Sequence, residues 1–274
     1  MKTKSFLAEM GIGATDELSL RVSVAALVRV LFTHPDDGKL MLALERKTTV
    51  REEDGQCFVD VKAQPFGGAL RIHDMEFLQD LIRDFHFDSE ESRAEQDFRI
   101  FIRPTDWETI QAFCLEHLAH RNGSVLESDP TRELREEFAD ATGIDLKPAQ
   151  YIYQTIGTIV ENQPSPTQNI HARGYPTTRI YQIFEARILD PSLASVMLEN
   201  SETLSKENLY KLAQNGGTGK TNAILTLPFK EIQAHYQAVP SESGNDPIRF
   251  QGQQLDETVA AVLDGVSVAK YRRV

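Results

Sequence analysis

The sequence predicts a single α+β body, and three observations carry that prediction. Segments rich in β-branched residues and bounded by turn residues alternate with segments whose apolar residues recur at helical spacing. The 274 residues are 41% apolar and 26% charged, which suits a soluble chain with a sizeable core. No internal repeat, low-complexity tract or long linker divides the sequence.

The elements follow in order. LRVSVAALVRVLF, from Leu20 to Phe32, reads as a strand; THPDDGK, with Pro35 and Gly38, turns the chain into LMLALERK, a β-hairpin. CFVDVKAQPFGGAL is a third strand, broken by Pro65 and by Gly67 and Gly68, where the backbone can take positive φ or approach a ligand closely. Two helices are expected in MEFLQDLIRDFHF and DWETIQAFCLEHLAHR, with DFRIFIRP as a short strand between them. YIYQTIGTIV and TTRIYQIFEARIL are strands joined by a long loop. PSLASVMLENSETLSKENLYKLAQN is helical or irregular, AILTLPFKEIQAHY is a strand ended by Pro228 and leading into a helix, and the tail holds one more helix.

DPTRELREEFADATGI, residues 129–144, concentrates the chemistry. Asp129 before Pro130 starts a helix and Gly143 stops it, so a helix is predicted over 130–142. On that helix Glu133, Glu136, Glu137 and Asp140 share one arc, beside an apolar stripe of Leu134, Phe138 and Ala141. Like charges at these spacings repel, and Arg132 and Arg135 answer the repulsion only in part. Two readings stay open: a solvated outer face, or carboxylate oxygens gathered for a hard divalent cation such as Mg²⁺ or Mn²⁺.

RELREE, Arg132 to Glu137, resembles the central signature of the Nudix hydrolases, and the upstream PFGGAL resembles the glycine pair that begins their box. LTLPFKEIQ is similar to the leucine-proline stretch near the end of that domain. The resemblance implies an α/β/α sandwich with a mixed sheet, one domain over 1–274. Gly68 and Arg132 stand much farther apart than the box allows, so 72–121 would be an inserted helical subdomain. The box's first glutamate has two candidates, Asp74 and Glu127, and neither satisfies both spacings. The closing glycine arrives about one helical turn late.

Residue by residue, the resemblance makes Glu136 and Glu137 the principal ligands of Mg²⁺ or Mn²⁺. It makes Glu133 a further ligand or the base that activates water, and Arg132 the residue that orients these carboxylates. The backbone carbonyl of Gly67 or Gly68 would complete the coordination. The implied activity is hydrolysis of a nucleoside diphosphate linked to another group. The alternative is a Nudix-fold sensor that binds a nucleotide or ADP-ribose-like ligand without turnover; by analogy, the long-insert form resembles Nudix-like domains of bacterial nucleotide-signalling defence systems. A homodimer is among the assemblies such relatives lead one to expect. A late acidic ligand is sought among Glu185, Glu199, Glu202 and Glu207, with Glu185 ranked last because it falls in a strand.

Other features read more plainly. NGGTGKT, residues 215–221, has Gln214 where a phosphate-binding P-loop needs glycine. His171 and Arg173 lie in a loop, solvated or facing a ligand. Trp107, Phe85, Phe87 and Phe98 have the periodicity of packing residues. A net charge of −12 argues against a duplex nucleic-acid partner. Cys57 and Cys114 form neither a disulfide framework nor a thiolate site, which points to a cytoplasmic setting, and no run of about 18 apolar residues predicts a membrane span.

Overall fold

A computed structural model of the chain describes residues 17–53, 56–121, 123–167, 169, 171–199, 223–232, 248–250, 253–256, 258–263 and 270–274. The strand β1 (Leu20–Thr33) is the axis of a mixed sheet. Its even-numbered residues, Val22, Val24, Ala26, Val28 and Val30, are fully buried toward one core. Leu27 and Leu31 are buried toward the opposite side. A strand covered on both faces reads as continuously apolar rather than alternating, as LRVSVAALVRVLF does.

Along one edge β1 pairs in parallel with β8 (Pro176–Ile188) from Arg21 to Leu31, and β8 pairs antiparallel with β6 (Tyr151–Glu161) and with the two-residue β7 (Ser165–Pro166). Three segments share the other edge. β2 (Leu40–Glu53) takes the end near Thr33, β5 (Arg99–Ile102) takes the end near Leu20, and the glycine segment pairs with the middle through Ala25 with Ala69 and Val28 with Phe66. Beyond the β1 edge, β2 continues into antiparallel pairing with both β3 (Gln56–Gln64) and β9 (Ala223–Pro228). The expected mixed sheet is therefore present, with strands close to the segments that predicted them.

Helices cover both faces. On the even-residue side lie α1 (Met75–Leu81), α3 (Trp107–His120), α4 (Thr131–Thr142) and α5 (Pro191–Glu199), while the six-residue α2 (Glu90–Glu95) comes between α1 and α3 in the chain. Ile110, Phe113, Leu134, Phe138, Leu193 and Met197 from three of them join Val24 and Val28 in a single cluster. The four-residue α6 (Thr258–Ala261) packs on the other side through Val259 and Ala261. The helix described in the tail is thus short, and Tyr271–Arg273, later in the chain, pairs antiparallel with β6.

The first helix of the 72–121 segment is shorter than its periodicity predicts. The chain leaves it after Leu81 for the two-residue strand β4 (His86–Phe87), paired with β5, and then α2. Asp74 caps α1 by accepting from the Phe77 amide at 2.9 Å, and Ser89 caps α2 by accepting from the Ser92 amide at 3.0 Å. Phe98, Ile100, Ile102, Trp107 and Cys114 from this segment all belong to the same core as β1 and α4. The Arg21 guanidinium, anchored from β1, donates to Asp88 at 2.6 Å inside it.

Candidate functional site

The site is built where α4 lies against the glycine segment. Phe138 meets Phe66 with ring centroids 5.8 Å apart, and with Leu134 and Ala141 it forms the buried stripe the sequence predicted. Asp129 accepts from the Thr131 amide at 2.8 Å at the start of α4, and Gly143 ends it with φ 73°, donating its amide to the Ala139 carbonyl. This packing fixes which side of the acidic arc faces inward.

The arc is not uniform. Glu133 is buried, Glu137 is half-buried, and Glu136 and Asp140 are exposed. Glu133 points at Gly68: a Cβ there would stand 2.0 Å from Glu133 Oε2, so only glycine leaves the carboxylate room. Gly67, with φ 133°, lies so close to β1 that a Cβ would meet the Ala26 carbonyl oxygen at 2.0 Å. Gly67 is thus required by its φ and its contact with backbone, while at Gly68 a side chain would have to displace the Glu133 carboxylate. The Gly68 carbonyl accepts from the Ala26 amide at 3.0 Å as part of the sheet, while the Ala69 carbonyl accepts from Arg132 Nη2 at 3.2 Å.

Arg132 ties the acids together. Its Nε and Nη2 donate to the two oxygens of Glu127 at 2.9 and 2.7 Å, a bidentate fork, while Nη1 stands 2.5 Å from Glu133 and 3.1 Å from Glu136. Glu127 also accepts from the Arg71 amide at 3.0 Å, joining the glycine segment to the helix. Of the two acids that spacing left open, Glu127 is the one that contacts Arg132, and Asp74 serves α1 instead. Burial works against the charge on Arg132, but the hydrogen bond to Glu127 and the charges of Glu133, Glu127 and Glu136 outweigh it and hold the guanidinium ionised.

Glu133 is driven the other way. Burial raises its pKa from 4.5 to about 7, opposed by Arg132 and reinforced by Glu136, Asp97 and Glu127. Asp97, which precedes β5, is likewise raised by burial against the pull of Arg99, Arg132 and Arg71. The 72–121 segment therefore contributes an acid to the electrostatics of the site, a role that nothing in the periodicity of DFRIFIRP signals. A buried carboxylate that titrates near neutral pH, fixed beside a permanent cation, can accept a proton from water.

Glu127, Asp129, Arg132, Arg135 and Glu136 line an open cleft of about 570 Å³ on the outer side of α4. Arg135 pairs with Asp145 across it at 2.9 Å. Among the described residues no three His, Cys, Asp or Glu side chains stand in a metal-holding group. The donor types nevertheless suit a hard divalent cation, since Glu133, Glu136 and Glu137 supply oxygens on adjacent turns of one helix.

The remaining candidates fall elsewhere. Glu185 is buried in an ion pair with Arg29 at 2.7 Å, and Glu199 is exposed at the end of α5. Glu202, Glu207 and the NGGTGKT stretch lie outside the described residues, while His171 and Arg173 are exposed. Trp107 and Phe98 are buried in the core and Phe85 and Phe87 pack against it, as their periodicity predicts. Cys114 is buried and unpaired. Among the described residues no helix is long and apolar enough to cross a membrane.

Residues 19–216 match the family model described as SMODS-associated NUDIX domain. No curated protein and no solved structure matches the chain.

Proposed function

Since the chain belongs to the SMODS-associated NUDIX domain family, we propose that the cleft beside α4 binds a nucleotide-type ligand and hydrolyses a phosphoanhydride in it, acting on a nucleoside diphosphate linked to another group. The observation that carries this reading is Glu133, buried in the space that Gly68 leaves and flanked by an Arg132 that Glu127 holds in a two-toothed grip. Glu136 and Glu137 would hold Mg²⁺ or Mn²⁺. Such a cation, when bound, screens the diphosphate and positions the attacking water.

The chain's own residues do the rest. Glu133 takes the proton of the water, and its raised pKa matches the task near neutral pH. Arg132 keeps Glu133 and Glu136 on one side of the helix and limits their mutual repulsion. Gly68, lacking a side chain, leaves the Glu133 carboxylate its place.

A second reading, ligand binding without turnover, is favoured by one observation: Arg132 already draws on Glu127, Glu133 and Glu136 at once, so a cation has to compete with it. Phosphate-coupled turnover separates the two. Nucleoside triphosphates, ADP-ribose, dinucleoside polyphosphates, NAD and nucleotide sugars are offered with Mg²⁺ or Mn²⁺ to the wild type and to Glu136→Gln. Turnover that disappears in the variant supports the hydrolase; binding with no turnover of any of them supports the sensor.

A further inference from the structure

A second groove lies mostly in the 72–121 segment, and its lining shares no residue with the cleft beside α4; it includes Arg83 and Arg93. Its volume is about 900 Å³, within the range of small-ligand pockets. One wall is the side of α1 that carries Met75 and Gln79, one helical turn apart, and Arg83 follows just beyond the end of that helix. The facing wall is the end of α2, with Arg93 and Gln96. Phe85 and Phe87, packed edge to face with centroids 6.1 Å apart, lie between.

Three features make this groove unlike an ordinary stretch of surface. Arg83 and Arg93 both line it, and among the described residues neither has an ion pair or a side-chain hydrogen bond. Asp84, the acid in its lining, is engaged by Arg103. Two guanidinium groups thus stand along one cleft in a chain of net charge −12. Gln96, moreover, holds a left-handed conformation with φ 58° at the end of α2, where glycine is the easier residue and would present no side chain to the groove. Lastly, the rings of Phe85, His86 and Phe87 are themselves part of the groove's lining, and His86, which is exposed, is backed by the buried Phe101 with ring centroids 4.9 Å apart.

We propose that this groove is a second ligand site, which takes the phosphates of a nucleotide on Arg83 and Arg93 and its base against the neighbouring aromatic rings. Guanidinium groups match phosphate oxygens in geometry and carry weak hydration, and an exposed ring beside them offers a base a face to stack on. An acidic peptide would use the arginines and leave the rings idle, so the aromatic component favours a nucleotide. The site owes nothing to the chemistry at α4 and stands whether or not that helix catalyses hydrolysis.

Calorimetric titration of the full chain with ATP in EDTA tests it, because removing divalent cations disables the α4 site. Wild type and Glu136→Gln are expected to bind ATP alike, Arg83→Gln/Arg93→Gln about tenfold or more weakly, and pyrophosphate more weakly than ATP in both of the first two. Thermal melting controls for folding, and replacing two exposed arginines should leave it unchanged. Equal ATP affinity in the arginine variant overturns the site. Pyrophosphate or a polyglutamate peptide binding as tightly as ATP overturns the assignment to a nucleotide.

Discussion

Glu133 retains its proton more tightly in the folded chain than in the unfolded one, and the sign of the consequence is fixed. A carboxyl whose folded pKa is raised above 4.5 adds stability below that pH, and the advantage is lost as pH rises through about 7, where the fold must hold a buried charge. In EDTA, Glu133→Gln should therefore be more stable than wild type by about 2 kcal/mol at pH 8, the difference closing below pH 4.5. Urea titrations at the two pH values measure it. The glycines make a second comparison. Gly143 has open space around its Cβ direction, so Gly143→Ala should cost about 1 kcal/mol, the conformational term alone. Gly68→Ala thrusts a methyl group into Glu133, and Gly67→Ala drives one into the β1 backbone; each should cost about 1–3 kcal/mol, and the first should also abolish turnover.

At the scale of elements, α4 is held by its apolar stripe while its charges are arranged for the site. Phe138→Ala should destabilise the chain by about 3–5 kcal/mol, through loss of the Phe66 contact and the cavity left behind, as read by denaturant unfolding. This helix was legible in the sequence because its signals agree: Pro130 and Gly143 mark the ends, and Leu134, Phe138 and Ala141 keep helical spacing. The side of the arc that would be buried was not legible. Periodicity places Glu133 and Glu136 together, but only the packing against Gly68 makes one buried and the other exposed. Glu127 was legible as a candidate and undecidable by spacing, because the segment that separates it from Gly68 is long; the Arg132 fork that selects it is a tertiary contact. α2 and β4 escaped for a different reason: both are shorter than the windows over which periodicity can be read.

For the whole molecule, the 72–121 segment is bound into the body by its strand and its side chains. β5 pairs with β1, and Ile72, Leu78, Phe98, Ile110 and Phe113 share the core with Leu134 and Phe138. Replacing 72–121 by a short linker should therefore leave no cooperatively folded protein, which circular dichroism and a thermal scan will show by loss of a melting transition. A reading of the segment as a module hung from a loop would predict the reverse. Under the proposed function the acidic face of α4 would hold a divalent cation, with Arg132 standing among its carboxylates. It is tested most directly by titrating Mn²⁺ into the protein and following the paramagnetic resonance signal of the free ion, with wild type beside Glu136→Gln. Saturable binding is expected in the wild type, weakened about tenfold or more in the variant, with both proteins folded. Equal affinity in the two proteins, or no binding in the wild type, would contradict it.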